Sequence, residues 1–325
     1  MNPNKNRFNI ILTTVFGFFI LLGIVVFATY KSSDIANSSV EISIWGTVDS
    51  AVFNGFVDKY KQDKNIQLKL KYVQKDPFTI DTDILEAVAS GNPPDSILIP
   101  QQMMKRYLDK VYLITSIPTR TFNDTFVQES DIYVRPDGIF AIPFFIDPLV
   151  MYYNRDLLSG AGIANPPKTW AEIPLLAAKI SKSDGNANIT KSAVSFGEYV
   201  NVDNAKALLS ALIMQAGSPI VSSPDGILLQ SYLYRKAPTD ITMPSVSAIS
   251  FYTDYSNPRK SVYSWNRSLP SSKRSFLSGD LALYFGFASE AQDLKNKNPN
   301  LNFDVAQIPQ VLDTNTKLTY GDIYG

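Results

Sequence analysis

Apolar and polar residues alternate through VEISIWG at residues 40–46 and again through IQLKLKYV at 66–73, the period of a strand with one covered face. Between them, Val52, Phe53, Phe56, Val57 and Tyr60 recur at helical spacing and share one face. A second helix is predicted over IDTDILEAVASG, residues 80–91, stopped by Gly91. PPDSILIP, residues 93–100, then reads as a short apolar strand. Strand, helix, strand, helix, strand is the order of an α/β layer with parallel strands.

From residue 137 the chain runs DGIFAIPFFIDPLVMYYN, an extended apolar stretch interrupted by Asp147 and Pro148. TWAEIPLLAAKISK, residues 169–182, predicts an amphipathic helix capped by Thr169. NVDNAKALLSALIMQAG, residues 201–217, predicts a longer one, capped by Asn201 or Asp203 and ended by Gly217. Residues 245–257 form another short helix in this reading. KRSFLSGDLALYFGF, residues 273–287, reads as helix, turn and strand, and LNFDVAQIPQ, residues 301–310, as a strand.

The first forty residues differ in kind. FNIILTTVFGFFILLGIVVFATY, residues 8–30, carries no charge. A helix of that length reaches roughly 35 Å, enough for a bilayer core of about 30 Å. Lys5 and Arg7 precede it, which places the N-terminus in the cytoplasm and everything after the span outside. A cleaved signal peptide, cut after Val26-Phe27-Ala28, is the competing reading; the run exceeds the core of such a signal, so an uncleaved anchor is expected, with polar residues 31–39 as its tether.

Composition narrows the chemistry. The 325 residues have no net charge, with Lys+Arg and Asp+Glu at 30 each, so no basic field exists to hold nucleic acid. There is no His and no Cys. That excludes Ser-His-Asp and Cys-His catalysis, His-ligated metals, zinc knuckles and disulfides. No catalytic residue or metal ligand of those kinds is therefore expected, and no cofactor.

Five segments in order carry a resemblance: VEISIWGTVDS, GNPPDSILIP, DGIFAIPFFIDPLVMYYNRDLLSGAGIANPPKTWAEI, FLSGDLALYFGFASE and LNFDVAQIPQ. Together they resemble the extracellular solute-binding proteins of ABC importers, in the maltose-type, sugar-binding branch. The resemblance covers residues 40–325. It implies a periplasmic-binding-protein-like α/β fold of two lobes, with a hinge and a ligand cleft between them. It implies a first lobe at 40–147, a second at 148–318, and the start of a return crossing at 319–325. The family continues beyond that point with elements that complete the first lobe, so the first lobe is expected to be incomplete in this sequence. The strand is expected to end near Asp147, with Pro148 stiffening the departure into the second lobe.

A sugar offers hydroxyls and an apolar ring face, so its site needs planar hydrogen-bonding groups and aromatic platforms. Trp45 and Asp49 occupy the family's first ligand loop; packing against the lobe and helix capping are their structural alternatives. Gln101 and Gln102 follow a strand at its C-terminal end, where open α/β sheets hold ligands. Asp147 interrupts an apolar run, and an unpaired buried carboxylate is costly. It is thus expected to face the cleft or to pair, and the resemblance implies a ligand-contacting acid there. Glu198 and Tyr199 precede the long helix, Trp265 is a candidate platform flanked by polar residues, and Phe287 falls in the family's aromatic-bearing loop. Trp170 is expected to pack a helix, and Asp95 to organise the turn before its strand.

The function implied is capture of a small solute, a carbohydrate, by lobes outside the membrane for ABC permease subunits. Two rivals stand beside it. One is a surface sensor or interaction module of the same fold. The other is a glycosidase using Asp147 and Glu198 as paired carboxylates.

Overall fold

The structure, a computed structural model, describes residues 41–66, 68–184, 188–222, 230–235, 242–312 and 317–325. The expected anchor at 8–30 and its tether lie outside them. Among the described residues no helix is long and apolar enough to cross a membrane. The chain divides into two compact units whose boundary falls between Ile99 and Pro100.

The first unit is a parallel three-stranded sheet in the order β2-β1-β3, with β1 at Ile42–Gly46, β2 at Leu70–Gln74 and β3 at Ser96–Leu98. Helix α1, Ser50–Lys64, joins β1 to β2, and α2, Ile80–Ala89, joins β2 to β3. Because β3 pairs on the other side of β1, right-handed crossovers set the two helices on opposite faces. Gly91, at φ 75°, follows α2 as its stop. The five-residue apolar face expected on α1 is narrower than its sequence: Phe53 and Val57 are buried, whereas Val52, Phe56 and Tyr60 are exposed. Phe53 stacks on Tyr72 with ring centres 4.1 Å apart. Asp95 does more than shape a turn. It accepts the Ser43 N–H at 2.8 Å and the Ser43 hydroxyl at 2.7 Å, tying the approach to β3 onto β1.

The second unit is built on β4, Phe145–Asn154. Its sheet contains β5 at Lys182–Ser183, β6 at Ile189–Val194, β7 at Leu281–Phe287 and β8 at Phe303–Gln307, in the order β8-β4-β7-β6-β5. β9, Gly321–Tyr324, pairs antiparallel with the first part of β4. Strand β7 reads LALYFGF and is buried from Leu281 to Gly286, as befits a strand covered on both faces. Around it pack α3 at Ile173–Ile180, α4 at Ala205–Gln215, α5 at Pro244–Asp254 and α6 at Ser272–Leu277. Trp170 belongs to this core, 6% exposed, with its indole N–H donating to Gln215 Oε1 at 2.6 Å. Thr169 and Glu172 form the capping box ahead of α3.

Two expectations are corrected here. The strand does not end near Asp147; β4 runs through Asp147 and Pro148 to Asn154. The Leu149 N–H donates to Tyr320 O at 2.8 Å and sets the phase of the β4–β9 ladder. By the period of two, Pro148 then points its nitrogen away from β9, and the registers with β7 and β8 begin only at Leu149 and Val150. No ladder needs the N–H that Pro148 lacks. Second, neither Asn201 nor Asp203 caps α4. Asn204 occupies the N-cap position, at φ 59°, with no side-chain bond to the helix. Asn201 instead donates to the carbonyls of Asn266 and Leu269, and Asp203 accepts from the Ser272 hydroxyl and the Lys273 N–H.

Candidate functional site

The β4–β9 ladder places Asp147 directly opposite Asp322. Facing residues on antiparallel strands project to the same side, so the two carboxylates are neighbours. Asp147 Oδ1 accepts the Ser289 N–H at 3.0 Å. Asp322 Oδ1 accepts from Gln101 Nε2 at 3.3 Å and, at short range, from Gln102 Nε2. Neither acid has an ion pair among the described residues.

Gln101 is half structural. Its Oε1 accepts the Ile323 N–H at 2.5 Å and its Nε2 donates to Gly321 O at 3.1 Å, so the side-chain amide continues the ladder on the outer edge of β9. Gln102 is exposed and also donates to the Tyr320 hydroxyl at 3.0 Å. Phe287 ends β7 opposite Leu149, and its ring meets Tyr320 edge-on, 6.3 Å between centres. Four expected residues, Gln101, Gln102, Asp147 and Phe287, therefore converge with Asp322, Tyr320 and Ser289 where β4 exchanges its partners.

The electrostatics of this spot follow from geometry. Burial pushes the Asp147 carboxyl above its ordinary range. The Ser289 hydrogen bonds oppose that shift, and the charges of Asp322 and Glu290 add to it. Burial, then the charges of Asp322 and Asp147, push the Tyr324 phenol up to about 12. The group can accept hydrogen bonds from hydroxyls at its carboxylates, offer amide donors, and present an aromatic edge.

The other expected residues are placed elsewhere. In the first unit, Trp45 lies near the end of β1 with Lys75 Nζ 3.8 Å from its ring centre, and Lys75 is held by Asp83 at 3.0 Å. Asp49 caps α1, accepting the N–H groups of Ala51 and Val52. In the second unit, Glu198 and Tyr199 stand on the loop between β6 and α4. Glu198 pairs with Arg267 at 3.0 Å, and Tyr199 is 72% exposed. Trp265 corrects the sequence reading: it is 1% exposed, inside a cluster with Tyr152, Phe276 and Tyr284, and its N–H donates to Asn201 Oδ1 at 3.2 Å. Its ring faces are covered by the protein and offer no platform. Its hydrogen-bond partner comes from Asn201, 64 residues away in the chain, and not from the polar residues that flank it.

Sequence reading missed Asp322, Tyr320, Ser289 and Glu290. A signal existed for Asp322, since it interrupts YGDIYG as Asp147 interrupts its own apolar run.

Comparison with known proteins identifies relatives of the chain as a whole. The chain is 29% identical over 205 residues to a protein of Brucella abortus (strain 2308) named as a binding protein, covering 62% of this chain and 44% of that one. It is 30% identical over 125 residues to the maltodextrin-binding protein MdxE of Bacillus subtilis (strain 168), covering 36% of this chain and 27% of that one. The match thus spans under half the length of these curated relatives. Its fold is similar to that of the cyclic alpha-maltosyl-1,6-maltose binding protein from Arthrobacter globiformis, with TM-score 0.65 and 18% identity over 88% of this chain and 69% of the other. From residue 45 to residue 316 the sequence matches a single family, and the chain belongs to it: the bacterial extracellular solute-binding proteins.

Proposed function

We propose that this protein captures a carbohydrate outside the membrane and presents it to the permease subunits of an ABC importer. The observation that carries this reading is the convergence of Asp147, Asp322, Gln101, Gln102 and Phe287 on the β4–β9 ladder. Carboxylates and amides suit hydroxyl groups, and an aromatic edge suits a sugar ring. Capture proceeds by hinge closure: a solute that contacts both lobes binds the closed form better and shifts the population toward it. Trp45 and Asp49 are the first-lobe contacts in this reading, and Glu198 and Tyr199 belong to the second. Residues 8–30, uncharged and preceded by Lys5 and Arg7, anchor the protein with its N-terminus inside. No bond is made or broken.

Isothermal titration of the full-length chain in lipid nanodiscs against a panel of malto-oligosaccharides tests the proposal. Saturable binding of at least one member is expected. Absence of binding to every sugar in the panel by a folded chain refutes it.

A further inference from the structure

The turn from Gly286 to Glu290 delivers two groups to the site just described, the Phe287 ring and the Ser289 N–H. Resting on that ligand-binding reading, we propose that Glu290 is the positioning residue of the site. Its carboxylate, without touching solute, holds this turn and the end of the Glu198–Tyr199 loop in one frame against Asp147.

Four donors from three segments, β7, the start of α4 and α6, converge on this one carboxylate. Oε1 accepts the Phe287 N–H at 2.9 Å and the Asn204 side-chain amide at 2.8 Å. Oε2 accepts the Tyr284 hydroxyl at 2.7 Å and lies 2.7 Å from Lys273 Nζ. The side chain is 16% exposed, so these bonds form away from bulk water, where hydrogen bonds to charge are strong.

The turn is shaped around the carboxylate. A Cβ at Gly286 would stand 2.6 Å from the Tyr284 ring and 2.8 Å from Glu290 Oε1, so only glycine lets the backbone pass. The Tyr152 hydroxyl fastens the other side, donating to Phe287 O at 2.7 Å and reaching Ala288 O at 3.2 Å. With both sides held, the Ser289 N–H is left aimed at Asp147 Oδ1. Asn204 makes the link to the second loop. It holds a left-handed backbone conformation at the start of α4, six residues after Glu198, and spends its side chain on Glu290 instead of the helix end.

A carboxylate is required by count. Glutamine at 290 offers one acceptor oxygen and one donor group, so it cannot receive all four donors. Lys273 also pairs with Asp293 at 2.9 Å, and removing it strips charge from this corner without freeing the turn. That separates positioning from plain stabilisation.

The experiment uses the full-length chain with maltotetraose as the probe, and Kd and Tm are measured together for wild type, Glu290→Gln, Glu290→Ala, Lys273→Met and Asp147→Asn. Both Glu290 variants are expected to weaken binding about tenfold or more at temperatures where circular dichroism shows them folded, because the turn that orients Ser289 and Phe287 is released. Lys273→Met is expected to lower Tm while keeping Kd within about twofold of wild type. Tyr284→Phe, which removes one donor and keeps the ring, is expected to weaken binding by about threefold and serves if both Glu290 variants fail to fold. Wild-type affinity in folded Glu290→Gln, or in Tyr284→Phe, overturns the assignment while Asp147→Asn still loses ligand, which leaves the binding function standing. Failure of the wild type to bind any sugar overturns both.

Discussion

Replacing Asp147 by Asn should make the protein more stable and worse at its task. Asp147 and Asp322 face each other at a hydrogen-bonding position of an antiparallel ladder, where Cα atoms are about 5.5 Å apart. Two carboxylates about 6 Å apart repel by about 3 kcal/mol at an effective dielectric constant of 20. Both are partly exposed, and salt and solvent screen them to about 1 kcal/mol, the scale of like charges on facing strands. Asparagine keeps an oxygen for the Ser289 N–H, so the change removes charge and leaves the hydrogen bond.

The pH dependence has a definite sign. A carboxyl raised in the folded state by burial, and by Asp322 and Glu290, binds its proton more tightly folded than unfolded. Stability therefore falls as pH rises from the ordinary value of 3.8 through the raised one, and the full penalty stands at neutral pH. Thermal melts of the full-length chain from about pH 3 to about pH 8 read this directly. Asp147→Asn should melt about 2 °C higher near neutrality, converge on wild type toward acid, and bind sugar about tenfold more weakly. The double variant Asp147→Asn/Asp322→Asn should gain less than the sum of the single changes, with a coupling of about 1 kcal/mol. A lower Tm for Asp147→Asn at neutral pH, or strict additivity of the pair, refutes the repulsion. Undiminished affinity refutes the role of the acid in binding.

Three further outcomes follow from the second unit. Asn201→Ala strands the Trp265 N–H and two carbonyls in a buried corner, so urea denaturation should show a loss of about 2–4 kcal/mol, and an unchanged midpoint would disprove the hub. Gly197 sits at φ 93°, and a Cβ there would lie 2.8 Å from Ser256 N; Gly197→Ala should cost about 2 kcal/mol or more in the same assay, with a neutral effect counting against the strain. Among the described residues the buried Tyr255 hydroxyl has no hydrogen-bond partner, so Tyr255→Phe should be neutral or stabilising by about 1 kcal/mol, and a marked loss of stability would point to a partner for that oxygen.

Patterns of period two and 3.6 carried the fold well where one face of an element is covered. β1 and α2, the cap at Thr169 and the turn between α6 and β7 all stand within a few residues of expectation. Reading failed where tertiary partners override local signals. Pro148 looks like a stop, and β4 continues because its ladders place no demand on that nitrogen. Asn201 and Asp203 look like helix caps, and both are taken by distant segments near Ser272 and Leu269, which leaves α4 to start at Asn204. Trp265 shows the same limit in the core: polar flanks suggest a surface ring, while Asn201 supplies the one partner that lets its N–H be buried.

The candidate site was half visible for a related reason. An acid inside an apolar run stands out, and Asp147 does so because the other eight residues of FFIDPLVMY are all apolar or aromatic. Its meaning depends on what lies across the ladder, which no local pattern states. Asp322 interrupts a run too short to stand out, and Glu290 sits in an ordinary polar turn; both matter only through register and through bonds to residues far along the chain. The two acids conflict locally with stability, and nothing in the core needs them. A strand that keeps facing carboxylates with no cation paired to them among the described residues, when amides of the same shape would fit, retains them at a cost of about 1 kcal/mol. In a binding protein that cost has a natural counterpart: hydroxyl donors of a bound solute offset the repulsion, so part of the penalty in the free form is recovered as affinity for the ligand.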